Sequence, residues 1–254
     1  MRNLLFKISF DGSSFHGWQI QNDLRTVQGD LKNAFYELTK EDVTINGCSR
    51  TDAGVHAKEY CFNVKTNSTI PCDSFPVALM TKLTPEILVV SCEEVPIDFN
   101  AQFDCESKEY EYIFLNTKNL SPFMYKKVCH YKFRELDVEL LNDACQHFLG
   151  EHDFSAFCAS GATVQSKVRT IYSASVRREN DLVIFKVRGN GFLYNMVRIM
   201  AGTLLYVAEG KIKPEEIPDI IKSGHRSKAG ITAIPAGLYL NKVFYGSEMN
   251  EDKT

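Results

Sequence analysis

The sequence predicts an α+β fold built from two halves that share one order of elements, and three observations predict it. Leu4, Phe6, Ile8 and Phe10 recur at every second position, which is the period of a half-buried strand. Behind Thr26, the residues Val27, Leu31, Ala34, Phe35 and Leu38 follow helical spacing. The same alternation of strand and helix patterns then runs through the chain twice, as β-α-β-β-α-β.

In the first hundred residues the opening strand ends at Asp11-Gly12, and a connector carries the only tryptophan, Trp18. Thr26 is placed to cap the first helix. Val43-Thr44-Ile45 and Tyr60 to Val64 read as two strands, Asp73 to Lys82 as a short helix, and Ile87 to Val95 as a buried strand. In the second half Tyr110, Tyr112 and Phe114 share a strand face, and Tyr125 to Phe133 is a weaker extended segment. Asp137 caps a helix with Leu140, Leu141, Ala144, Cys145 and Phe148 inside, stopped by Gly150. Lys167 to Arg177 and Leu182 to Arg188 form a hairpin around Glu179-Asn180-Asp181. Phe192 to Glu209 is an apolar helix stopped by Gly210. A short helix from Pro214 to Lys222, a basic loop through Arg226 and Lys228, and a last strand from Leu238 to Phe244 follow. This order describes two ferredoxin-like, RRM-like halves whose sheets join into one continuous, mostly antiparallel sheet. The halves run 1–104 and 105–246, ahead of a polar tail at 247–254.

A chain of 254 residues that is 44% hydrophobic and 24% charged buries a sizeable core, with little room for long disorder. The net charge of −3 hides a polarity. Thr84 to Tyr112 carries eight acids against one base, a net of −7, and Val164 to Met200 carries seven bases against two acids, a net of +5. An anionic partner would dock on the basic segment; the alternative is a solvated face. The eight cysteines have no ligand spacing, and the six histidines form none, so a metal site is not expected. With no leader at Met1-Arg2-Asn3 and no stretch long enough for a bilayer, the reading is a cytoplasmic protein with free thiols and no membrane partner. Neither a phosphate-cradling nor a dinucleotide glycine motif appears, so no cofactor is expected.

The residues with most chemical content lie between the two strands of the first half: Arg50-Thr51-Asp52-Ala53-Gly54-Val55-His56-Ala57. An Asp two residues before a Gly is ordinary turn chemistry, and a catalytic loop is the other reading. Arg198 sits among Phe192, Leu193, Met196, Val197, Ile199 and Met200. Buried without a partner it would cost several kcal/mol. It needs a carboxylate such as Asp52, unless its head snorkels to the surface. Tyr110, at the start of its strand, is either core or a platform on which a base stacks.

These residues resemble the tRNA pseudouridine synthase A (TruA) family. The loop at Arg50 to Ala57 looks like its signature. Further blocks agree in order: Asp11-Gly12 with Phe15 to Gln19, Thr26-Val27-Gln28, Phe99-Asn100-Ala101, Lys108 with Tyr110 and Tyr112, Asp153 to Phe157, Arg169-Thr170-Ile171, Gly191 to Ile199, and Ala229-Gly230 with Gly237 to Leu240. The resemblance covers residues 3 to 245. It implies isomerisation of uridine to pseudouridine at positions 38 to 40 of the tRNA anticodon stem-loop, by a homodimer using neither metal nor organic cofactor. The active-site cleft would lie between the two halves. Asp52 would be the catalytic aspartate and Arg198 its ion-pair partner. Tyr110 would stack on the base and could accept a proton, and Arg50 would help extrude the nucleotide. His56 is read as scaffold, and Gly54 as the residue that permits the bend.

The chain departs from the family pattern at Gln102, at Glu109 and Glu111 where basic residues are frequent, at Ser49, and at Ile231 and Ile234 in place of prolines. The rival reading is a non-catalytic RNA-binding protein with tandem RRM-like halves. It leaves the Asp-centred loop and the buried arginine without a reason, and Lys186 to Phe192 matches an RNP strand poorly. An enzyme of this fold with another RNA target is the third.

Overall fold

The computed structural model describes residues 1–161 and 164–246; the polar tail expected at 247–254 lies outside the described residues. The chain packs as two units. One is Met1–Glu106 together with the chain from Leu240 on, and the other is Ser107–Tyr239.

The first unit contains β1 (Arg2–Phe10), α1 (Val27–Thr39), β2 (Ile45–Gly47), β3 (His56–Thr66), α2 (Phe75–Met80) and β4 (Ile87–Val95). This is the β-α-β-β-α-β order that periodicity predicts. β1 is antiparallel to both β3 and β4, with Phe6 opposite Phe62 and Cys92. The reason is visible in the side chains. Phe6 stacks on Phe62 at 5.0 Å, and meets the edges of Phe35 from α1 and Phe75 from α2 at 5.4 Å each. One aromatic cluster therefore ties both helices to one sheet face. The Thr26 hydroxyl accepts from Gly29 N, the predicted cap. β4 differs from the expected buried strand: Leu88 and Val90 are 46% and 57% exposed. Ile87 and Val89 alternate with them and are buried, so only one face of the strand is covered.

The second unit contains β5 (Cys105–Leu115), β6 (Cys129–His130), α3 (Val138–Gln146), β7 (Gly150–Asp153), β8 (Val168–Glu179), β9 (Leu182–Gly189), α4 (Met196–Ala208) and α5 (Ile217–Ser223). β9 is antiparallel to both β5 and β8, and β7 pairs antiparallel with β8. The hairpin turns where predicted: Glu179 faces Leu182, and Asn180 takes the positive φ of 52° that Asn tolerates. The weak segment after Tyr125 yields only β6, paired parallel to β5. β7 is an addition that four polar-looking residues did not announce. The predicted helix from Phe192 starts four residues later, at Met196, because Asn195 adopts a left-handed conformation with φ 60°. Arg198 thus lies in the first turn of α4, not in its interior. The last strand, β10 (Leu238–Tyr245), runs along β3 in the first unit from Leu240 on. Among the described residues no helix is long and apolar enough to cross a membrane.

Candidate active site

On the first unit, the loop between β2 and β3 is a β-turn and more. Val55 N donates to Asp52 O at 3.1 Å, and Gly54 takes a φ of +77°, the conformation a type II turn needs at its third residue. The loop's backbone is docked on the connector that follows β1. Trp18 N donates to Thr51 O at 3.1 Å, and Gly54 N donates to Phe15 O at 3.2 Å. Gly17, at φ +90°, lies so close that a Cβ there would sit 2.6 Å from Thr51 O. The buried indole of Trp18 stacks on Tyr60 at 4.0 Å, and the Tyr60 hydroxyl bonds to Ser49 O just ahead of the loop. Asp11-Gly12 to Gln19 is thus the platform on which the Asp52 turn rests.

Within the turn Arg50 is exposed, Asp52 half-buried and Thr51 buried. The Thr51 hydroxyl has no hydrogen-bond partner among the described residues. His56, 2% exposed, accepts from Gly12 N at Nδ1 over 3.1 Å and so ties the start of β3 to the same platform. Phe15 beneath the loop lies under the Arg25 guanidinium, 4.3 Å from its ring centre. Arg25 is held in turn by Asp30 and Glu86, at 2.9 and 3.3 Å. Thr84 first and Arg25 second hold the Glu86 carboxyl below the usual carboxylate range by hydrogen bonding.

On the second unit, Tyr110 is buried, 6% exposed, in the middle of β5 and not at a strand start as the alternation suggested. Phe192 meets it edge-on at 5.1 Å. Arg198, half-buried, donates from Nε to Ala233 O at 2.7 Å and from Nη1 to Asn195 Oδ1 at 2.6 Å. Tyr112, two residues from Tyr110, donates to the next carbonyl, Ile234 O, at 2.8 Å. Burial pushes its phenol well above the usual value. Tyr112 and Arg198 are therefore set against two consecutive carbonyls of one loop. Neither Asn195 nor Ala233 was given a role in the sequence, where the loop stood out only for Ile231 and Ile234 in place of prolines. The only signal was the three-residue spacing from Asn195 to Arg198, which puts both on one side of a helical turn.

The charge polarity resolves differently from its linear reading. Glu109 and Glu111 are 6% and 3% exposed. Lys186 holds Glu109 at 2.9 Å and Arg177 holds Glu111 at 3.1 Å. Arg178 donates to Leu136 O at 2.7 Å, and Arg188 to the Ser107 hydroxyl at 3.0 Å. Much of the basic segment is thus engaged within its own unit. The eight cysteines are free thiols. Burial pushes Cys61 up, and Cys145 up to about 12, so neither supplies a thiolate nucleophile. Among the described residues no group of His, Cys, Asp and Glu is arranged to hold a metal ion.

A family model described as tRNA pseudouridine synthase matches residues 144–246. The chain is 44% identical over 245 residues to the tRNA pseudouridine synthase A of Thermoanaerobacter sp. (strain X514), covering 96% of this chain and 100% of that one. It is 47% identical to tRNA pseudouridine synthase A 2 of Clostridium perfringens, and 42% identical to tRNA pseudouridine synthase A of Caldicellulosiruptor bescii, each with the same coverage. Two docked structural motifs, the Asp52 turn and the Arg198 loop, thus sit in a chain alike from end to end to these enzymes, and it belongs to the tRNA pseudouridine synthase A family, a family of isomerases.

Proposed function

We propose that this tRNA pseudouridine synthase isomerises uridine at positions 38 to 40, in the anticodon stem-loop, with Asp52 as its catalytic carboxylate. The observation that carries the reading is the turn itself: a half-buried carboxylate on a β-turn whose backbone is hydrogen-bonded to a separate, aromatic-packed platform. Such anchoring holds a reacting group in place without cost at the moment of reaction.

The target nucleotide leaves its stack, and Arg50, exposed beside Asp52, helps extrude it. The base stacks against Tyr110. Asp52 then acts at the sugar, as nucleophile or base, and the N1–C1′ bond breaks. Uracil turns, C5 bonds to C1′, the C5 proton departs with Tyr110 as acceptor, and N1 takes up a proton. Product and substrate have the same atoms. No water is added, so the second carboxylate that glycosidases use to activate water has no task here. Arg198 pairs with Asp52 and orients it. The enzyme works in the cytoplasm as a homodimer, with the catalytic turn contributed by residues 1–104 and Tyr110 and Arg198 by residues 105–246.

Mapping carbodiimide-reactive sites on tRNA after incubation with the enzyme tests the position; modification elsewhere in tRNA overturns it. Asp52→Asn should retain tRNA binding and form no pseudouridine. Wild-type turnover by that variant removes Asp52 from the chemistry.

A further inference from the structure

We propose that Thr117–Arg134 of the second unit is a second RNA-docking surface, one that uses none of the residues assigned to the target uridine. It stacks unpaired bases on Phe123, Tyr125 and Phe133 and holds phosphates with the lysines among them. The inference rests on tRNA being the substrate.

The segment carries five lysines and arginines and no carboxylate, in a chain whose net charge is −3. Lys118, Lys126 and Lys132 are exposed. The more obvious basic stretch, Val164 to Met200, has Arg177 and Lys186 paired with buried glutamates. Between these cations stand three large aromatics turned to solvent: Phe123 is 92% exposed, Phe133 76% and Tyr125 62%. A folded chain that leaves three rings in water forgoes the free energy of burying them.

The exposure does not come from a loose loop. β6 pairs with β5, and Tyr131 N donates to Leu115 O at 2.9 Å. Asn116 Nδ2 donates to Tyr131 O and Arg134 O, at 3.1 and 2.9 Å, and Tyr239 donates to Lys127 O at 2.7 Å. The Ser121 hydroxyl caps the short turn that lifts Phe123. Backbone anchors face inward while rings and ammonium groups face outward. Aromatic faces interleaved with cations are what unpaired nucleotides bind, each stacked base adding affinity and each neutralised phosphate adding salt dependence. A second copy of this chain fits the patch less well, because a two-fold contact would set like charges against each other.

The test uses two surface variants, Phe123→Ser with Tyr125→Ser, and Lys126→Glu with Lys132→Glu. Both should melt as wild type does. On full-length tRNA each should raise KM by about tenfold with kcat within about twofold. The charge variant should also flatten the salt dependence of tRNA binding by about one unit of slope per lysine removed. An unchanged KM with normal wild-type turnover overturns this surface alone. Conversion of a wild-type dimer to monomers by the aromatic variant, seen by sedimentation, overturns it in favour of a contact between copies. Wild-type enzyme that forms no pseudouridine in any tRNA overturns the functional reading beneath it.

Discussion

Arg198 and Ala233 bind each other in both directions: the guanidinium Nε donates to Ala233 O at 2.7 Å, and Ala233 N donates to Arg198 O at 3.1 Å. An arginine side chain has about 2 kcal/mol of rotamer freedom, and fixing it costs most of that. The reciprocal bond, with Asn195 on Nη1, sets that orientation before substrate arrives.

Asn195→Ala should therefore lower kcat by about tenfold, the size of one lost charge-assisted hydrogen bond. Its KM should stay near wild type, and replacement by Asp should restore activity better than Ala does. Single-turnover rates on tRNA decide it; equal rates for Ala and wild type would make Asn195 a bystander.

Arg198→Met removes the charge but keeps the stem. We expect turnover to collapse, with a stability loss of about 1–3 kcal/mol from the acceptors left behind at Ala233 and Asn195. Urea denaturation alongside the modification assay separates the two effects.

Gly12→Ala tests the platform under the Asp52 turn. A Cβ at this position would overlap the Val55 carbonyl, backbone against backbone, so the turn must shift. Stability should fall by about 1–3 kcal/mol, and activity should fall beyond what the unfolded fraction explains, since a misplacement of about 1 Å costs a reacting group about a hundredfold. Activity measured well below the melting temperature gives the answer.

Acid should loosen the same platform from another side. Glu86 has a folded pKa below its unfolded value, so its contribution is present above about pH 4.3 and is lost as pH falls through the folded value. Glu86→Gln should flatten that acid limb of the stability curve. A limb as steep as wild type would show that Arg25 is held by Asp30 and Thr84 without help from Glu86.

Arg177→Met should behave in the opposite manner from the variants of the Phe123 surface. It leaves Glu111, 3% exposed, without the cation at 3.1 Å, and should cost about 2–3 kcal/mol of stability with tRNA KM unchanged.

Much of this was legible beforehand, and the reason differs by feature. The period-two run at Leu4 to Phe10 and the spacing behind Thr26 are local signals, and both elements formed where periodicity put them. Asp52-Ala53-Gly54 reads as a turn because its backbone need is local too. What lay hidden depends on residues far apart in sequence. Linear charge counting set Glu111 against the basic segment, whereas pairing of β5, β9 and β8 joins them. The start of α4 was misplaced because an Asn in a left-handed conformation leaves no trace in hydropathy. The hold of Ala233 on Arg198 spans 35 positions and has no residue-type signature.

The return of the last strand has a consequence for synthesis. Val243 N reaches Glu59 Oε1 at 3.4 Å, Tyr245 donates to Ala101 O at 2.7 Å and its ring packs against Phe99. The unit that carries Asp52 therefore stays open along the part of β3's flank that β2 does not pair while Ser107 to Tyr239 is still being translated. On the ribosome the later-made unit has its full set of residues first, and the earlier one waits for the end of the chain. A premature stop before Leu240 would strip a strand from the N-terminal unit, leaving an unpaired edge as a target for quality control.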